Sequence, residues 1–417
     1  MHLEIEQIKL LKNIIYNKKK IIINIVSITL IFILSFSISL DIFAAEVTNP
    51  ENILNPADND EVVDTNAFIY KKYDEKTKKE LEDNVINYDE IDDLIHEYNP
   101  NVLSWWNSYK NNKTATEVYD DYMDSYNRIM DSADSSESDA AAARLYAQAY
   151  SMKMLADNNT NDSIINFWNY QIDEIKLCLD TKKKFINYYI TNYNEKIAEL
   201  NVAETRRLAN AANVKRQVGL ETELTYLQSN KNADDAVANL DLAKTNHDVA
   251  EKNLKIACGQ SISNDVVVGD MPDARVNINA INLLDDIEIA KLNNIYLKIY
   301  NRALKNSNTD EMKNYNQILI DYANEAIASS VKNYYDVLNN QVSSLTTRET
   351  SSALMDQQLS KAKADLANGR ISDADYQTSV YNAEVSKIQV DIQLLNVLSA
   401  YEDYRYAVYM GIAEAKL

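Results

Sequence analysis

The chain has very little punctuation: five glycines and four prolines in 417 residues. After Pro100 the one remaining proline is Pro272, in the same short stretch as Gly259 and Gly269. Sparse breakers exclude a fold of many short strands and tight turns and predict long uninterrupted elements. A loop of closely spaced glycines that could cradle phosphate is excluded as well. Two cysteines, Cys178 and Cys258, cannot frame a disulfide scaffold; each falls on a helical pattern and reads as a small apolar packer. The three histidines, His2, His96 and His247, are scattered, with no second His or Cys at ligand spacing, so no metal site is predicted. No nucleophile has a base set beside it by spacing. The chain reads as no enzyme, without catalytic residues or cofactor.

Positive charge is also scarce. Against 42 basic residues stand 63 acids, for a net charge of −21. Nucleic-acid binding requires a basic face, so that class is excluded. The acids follow the exposed faces of helical patterns, as on a solvated acidic bundle. The 28 tyrosines read as seam fillers, with Tyr334, Tyr335, Tyr401 and Tyr404 expected in core or subunit packing.

What is present is a repeated helix–turn–helix. In the first copy Gly219 marks the turn and Thr222 can cap the returning helix. That helix carries Ala233, Ala236, Leu240, Ala243, His247, Ala250, Leu254 and Ala257. The spacing alternates by three and four, the heptad seam of a coiled coil. Leu366–Gly411 repeats the plan: Gly369 is the turn, Ser372 the candidate cap, and Val385, Ile388, Ile392 and Leu395 the seam. The distances from Gly219 to Gly259 and from Gly369 to Gly411 are nearly equal. Two such units argue for internal duplication.

The run Arg216-Gln217-Val218-Gly219-Leu220-Glu221-Thr222-Glu223-Leu224 resembles the tip hairpin of TolC-type outer-membrane efflux proteins. Gly369-Arg370-Ile371-Ser372-Asp373-Ala374-Asp375 resembles its second copy, with Leu366 where the arginine would stand. Ile86–Ile91 followed by Tyr98-Asn99-Pro100 is similar to the family's opening acidic helix and Asn-Pro. Lys332–Leu338 is similar to the helix before its second tip. The resemblance covers roughly Ile86 to Gly411.

Read in order, 1–45 is a signal peptide or N-terminal membrane anchor. Lys18-Lys19-Lys20 precede the apolar run Ile21–Leu40 and the small residues before Glu46. The run is long enough to span a bilayer, so cleavage and retention both stay open. Residues 46–84 form a polar linker entering a short helix. Residues 85–259 form the first helical repeat, 260–282 a connector and 283–417 the second repeat. Helices are predicted over Val102–Asp131, Ala140–Leu155, Asn161–Val218, Leu283–Asn306 and Asn314–Asn368, with polar breaks at 134–138, 158–162 and 308–310. Asn161–Val218 alone would extend about 87 Å. Trp105 and Trp106 read as packing, or as an interfacial belt. The resemblance implies barrel strands at 134–162 and 306–310. A spanning strand needs about 9–11 alternating residues, and neither stretch has them.

The expected fold is therefore all-α: elongated antiparallel helical hairpins in two tandem repeats, a TolC-like tube without an evident β-barrel. The resemblance implies an exported, envelope-localised conduit of an efflux or export system. It also implies a homotrimer whose tips dock a membrane-fusion adaptor tied to an inner-membrane pump of ABC or RND type. The docking residues would be Gly219, Leu220, Thr222, Leu224, Gly369, Arg370, Ile371 and Ser372, all expected at one end, with Asp375 as a tunnel-entrance acid. The alternative is an exported coiled-coil spacer of the cell wall without transport.

Overall fold

The computed structural model describes residues 72–110, 115–263, 265–272 and 274–415. The expected export segment and most of the polar linker lie outside them. Helices among the described residues are α1 (Glu75–Leu81), α2 (Ile91–Tyr98), α3 (Pro100–Lys110), α4 (Ala115–Asp134), α5 (Asp139–Asp157), α6 (Ser163–Gln217), α7 (Glu223–Ala257), α8 (Leu283–Asn293), α9 (Ile295–Lys305), α10 (Asp310–Ala367) and α11 (Asp373–Tyr409). The fold is all-α in two tandem repeats of helical hairpins. α6 has 55 residues and α10 has 58, as the missing breakers require. The strands among the described residues are β1 (Val85–Ile86) and β2 (Val267–Val268), paired in parallel. β2 lies in the expected connector; at two residues it is too short for alternation to reveal.

The expected helix Leu283–Asn306 is in fact two helices. Asn294 interrupts it, and its side-chain oxygen accepts from Leu297 N–H at 3.0 Å, capping α9. Asn99 does the same for α3, accepting from Asn101 N–H at 2.8 Å ahead of a helix that begins at Pro100. Residues 134–162 hold the end of α4, all of α5 and a polar turn, so a helical hairpin stands where strands were implied by the resemblance. Asp162 starts α6 by accepting from Ile165 N–H at 2.9 Å. No helix among the described residues is long and apolar enough to cross a membrane; the run Ile21–Leu40 is outside them.

The chain divides into two compact units. The larger takes in 72–198, Asp234–Asn339 and Leu395 onward among the described residues. It holds the heaviest core, with Ile86, Ile91, Leu94, Ile95, Phe185, Ile186, Leu254, Ile327, Leu338, Tyr404 and Tyr406 fully buried. Trp106 packs at 5.1 Å on Tyr109 and 5.5 Å on Tyr170, the packing role read for it. His247 stacks on Tyr188 at 4.7 Å and hydrogen-bonds Thr191 at 3.2 Å. Both cysteines are buried and free.

Within this unit the closing glycines repeat one device. Gly259 and Gly411 both have positive φ, 69° and 72°. A Cβ on Gly259 would sit 2.4 Å from the Tyr98 carbonyl oxygen, and one on Gly411 2.3 Å from that of Asn293. Each glycine thus admits the backbone immediately before a capping asparagine. Asn99 donates to Ala257 O at 2.6 Å and Asn294 to Ala413 O at 2.9 Å, which ties each repeat's opening to its close.

The smaller unit holds Glu199–Ala233 and Asn340–Leu394. Its buried apolar residues are small: Val202, Ala209, Ala212, Ala233, Ala362, Ala383 and Val385. Glu204, Arg348, Ser386, Gln389 and Gln393 are buried among them. Of the predicted seams, Ala233 on α7 and Val385, Ile388 and Ile392 in the middle of α11 fall in this unit, and all are buried or half-buried; the rest of the α7 seam and Leu395 belong to the larger unit and are buried or half-buried as well. The buried alanines of this unit let helices approach closely and leave little apolar area to bury.

Candidate docking tips

Both hairpin turns belong to the smaller unit, and both are built alike. After α6, Gly219 takes φ +74°. Its N–H donates to Arg216 O at 3.0 Å, and Leu220 N–H donates to Lys215 O at 2.8 Å. After α10, Gly369 takes φ +66°, with Gly369 N–H to Leu366 O at 2.9 Å and Arg370 N–H to Asp365 O at 2.8 Å. These paired bonds form a Schellman close, which satisfies the last carbonyls of a helix and needs a left-handed residue, normally glycine. The next helix is then capped: Thr225 N–H donates to Thr222 Oγ1 at 3.1 Å, and Asp375 N–H to Ser372 Oγ at 3.2 Å. In the second turn Ser372 N–H also donates back to Asp375 Oδ2 at 3.2 Å, a reciprocal capping box.

Asp375 is therefore occupied locally. The Ser372 hydroxyl and N–H hold its carboxyl below the usual range, with lesser help from Lys215 and Arg207. It stays ionised at the positive end of α11, where a carboxylate is favoured. The nearby Lys215 and Arg207 also bring cations to the place read as an acidic entrance.

The two turns differ in surface. The first exposes apolar side chains: Val214 59%, Val218 65%, Leu220 77%, Leu224 76% and Leu227 55%. The second places Arg370 and Ala374 where the first has Leu220 and Leu224, and Ile371, expected to be exposed, is half-buried. Arg216 braces the apolar turn. It donates to Glu223 at 2.8 Å and lies 4.2 Å over the Tyr226 ring.

A cross-link between the hairpins was not legible in the sequence. Thr378 on α11 accepts from Arg207 at 2.7 Å and donates to Glu204 at 2.8 Å, while Arg207 and Glu204 are themselves paired. Tyr381 reaches Asn201 at 3.4 Å. The i,i+3 spacing of Glu204 and Arg207 could have flagged the pair; nothing local points to Thr378.

The larger unit has a matching polar hub at the end of α11. Tyr404 and Tyr409 donate to Asp286 at 2.6 and 3.1 Å, and Tyr406 donates to Asp92 at 3.1 Å. Lys182 pairs with Asp92 at 3.0 Å and faces the Tyr88 ring at 5.3 Å. Burial raises the Tyr404 and Tyr406 hydroxyls far above the normal phenol range. These groups act as fixed donors. No group of three or more metal-ligating side chains occurs among the described residues.

No family model and no curated protein matches the chain. Among solved structures, it is similar to the open state of the Neisseria gonorrhoeae MtrE outer membrane channel, at 11% identity over 79% of this chain and 91% of that one, TM-score 0.48. It is similar to the Campylobacter jejuni CmeC outer membrane channel, at 12% identity over 92% and 96%, TM-score 0.46. The outer-membrane channel OprN is similar at 12% identity over 82% and 94%, TM-score 0.46.

Proposed function

We propose that this chain is one subunit of a TolC-like conduit in an envelope-spanning export or efflux system. One observation carries the reading: a duplicated hairpin whose two turns, identical in backbone plan, fall in one compact unit. The first turn offers an exposed Leu220–Leu224 surface braced by Arg216. That is a rigid apolar ridge on a water-facing element, the kind of surface that docks a partner. The partner in this reading is a membrane-fusion adaptor linked to an inner-membrane ABC or RND pump. Residues 1–45 direct the rest across the cytoplasmic membrane, as a cleaved signal or a retained anchor. Two repeats of paired helices are too few to enclose a lumen, and rotational symmetry closes such walls, here as a homotrimer.

The spacer reading draws on the α4–α5 hairpin, a helical element in place of barrel strands. Light scattering on the full chain with negative-stain imaging separates the two. A closed oligomer with a central lumen supports the conduit; a monomer or a solid rod leaves the spacer.

A further inference from the structure

Within the larger unit the two repeats meet through α6 of the first and α9 of the second. Arg302 donates to Asp162 at 2.6 Å and Asn306 to the same carboxylate at 2.9 Å, while Lys176 lies 5.3 Å over the Tyr296 ring. Ile165 and Ile172 fall between those anchors, on the side of α6 that carries Lys176, and show 2% and 4% of their surface. The face of α9 that carries Tyr296 and Arg302 also holds Ile295, Ile299 and Ala303, and all five are buried or half-buried.

Duplication gives each of these faces a counterpart. Counted back from the tip glycines, Tyr315 and Tyr322 on α10 hold the places of Ile165 and Ile172, and Ile318 that of the half-buried Trp168. Counted on from the capping asparagines, Pro100, Asn101, Ser104, Asn107 and Ser108 on α3 hold the places of the five α9 residues. Here both faces are open. Tyr315, Ile318 and Tyr322 show 55%, 63% and 41% of their surface, and the five α3 residues are all exposed. A contact made once inside the subunit therefore recurs on its surface as two separate halves.

The chemistry of the halves agrees. In a chain of net charge −21, α3 has no charged residue before Lys110. Depletion of charge marks the centre of a protein interface. A tyrosine offers an apolar ring and a polar tip, which suits a face of asparagine and serine. The two halves differ from each other, so the contact is heterologous. Each added copy leaves one half of each kind free until a ring closes. Such contacts run around the ring, and no face has to meet its own copy on the axis.

We infer that α10, through Tyr315, Ile318 and Tyr322, packs against α3 of a neighbouring copy at Asn101, Ser104 and Asn107, repeating between subunits the α6–α9 contact made within one. This inference rests on the oligomer of the conduit reading and names the faces that close it.

The test uses the full chain with Tyr322→Cys and Ser104→Cys, made singly and together. Both native cysteines are buried. With a short bismaleimide, the two single variants expressed together are expected to give a covalent dimer at least tenfold faster than either expressed alone. The double variant should give a ladder that stops at the number of copies in the oligomer. All should match the parent by circular dichroism and light scattering. Ile318→Cys and Asn107→Cys substitute if the first pair fails to fold. An oligomer whose double variant gives no ladder, or whose single variants cross-link alone as fast as together, overturns the α10–α3 contact and leaves the conduit standing. A monomer by light scattering overturns both.

Discussion

Thr378 hydrogen-bonds Glu204 at 2.8 Å although 174 residues separate them. The same hydroxyl accepts from Arg207, so one threonine on the second hairpin completes an ion pair on the first. In a unit whose core is alanine and valine, such a bond carries a large share of hairpin-to-hairpin specificity. Thr378→Val keeps the shape and leaves the Arg207–Glu204 pair short of one partner. It should cost about 1–2 kcal/mol, read by urea denaturation.

Acid should act on the same group. Arg207, first, and Thr378 hold the Glu204 carboxyl below its usual range. A depressed carboxyl stabilises the fold above its unfolded-state value of about 4.3. That contribution is lost as pH falls from there through the lower folded-state value. Glu204→Gln should therefore be less stable than the parent at neutral pH and show a shallower loss below about pH 4.3. Equal acid limbs in urea titrations of the two proteins would contradict this.

The glycines should separate by position. At Gly219 and Gly369 an added Cβ meets nothing within 4 Å, so alanine costs only the left-handed conformation, about 1–2 kcal/mol. At Gly259 and Gly411 it also strikes a backbone carbonyl. Overpacking adds about 1–3 kcal/mol and the bond between capping asparagine and closing strand of backbone is strained. Thermal melts should rank Gly411→Ala and Gly259→Ala well below Gly219→Ala and Gly369→Ala.

The cysteines should be silent in the native protein. Burial pushes the Cys258 thiol up to about 12 and raises Cys178 well above its ordinary value. Reactivity belongs to the thiolate, so iodoacetamide at pH 8 should label neither until urea is added, when mass spectrometry should find both modified.

Docking should depend on the first tip more than the second. Leu220→Asp with Leu224→Asp alters exposed side chains and should leave helicity and oligomeric state unchanged while abolishing cross-linking to an adaptor. Ile371→Asp instead enters a half-buried position and should cost stability. Unchanged adaptor cross-linking in the double variant would show that the ridge is not a docking surface.

The helices and the two turns were legible because their signals are local. Few breakers force long helices, a glycine followed by Thr222 or Ser372 marks a turn and cap, and the α7 seam is visible as spacing. Asn294 hid its role because it is followed by Ile295 and not by a proline, as Asn99 is by Pro100, so nothing in the run Leu292–Leu297 marks a break until the cap is seen. Both tips are expected to contribute docking residues, Leu220, Thr222 and Leu224 from one and Arg370, Ile371 and Ser372 from the other, yet the exposed apolar ridge stands only on the first among these, because Arg370 and Ala374 occupy the matching places and Ile371 is half-buried. The links from Thr378, Tyr404 and Tyr406 join residues far apart in the chain, and no local pattern encodes their partners.

The tyrosine hub also governs when the fold can close. Tyr406 reaches Asp92 across 314 residues, and Asp286 waits on Tyr404 and Tyr409 from the same final helix. At about 5–20 residues per second of synthesis, the first opening helix waits roughly 15–60 s for its last partner. Contacts this distant fold slowly. The larger unit is therefore completed only once α11 has been made, and until then the nascent chain remains threadable.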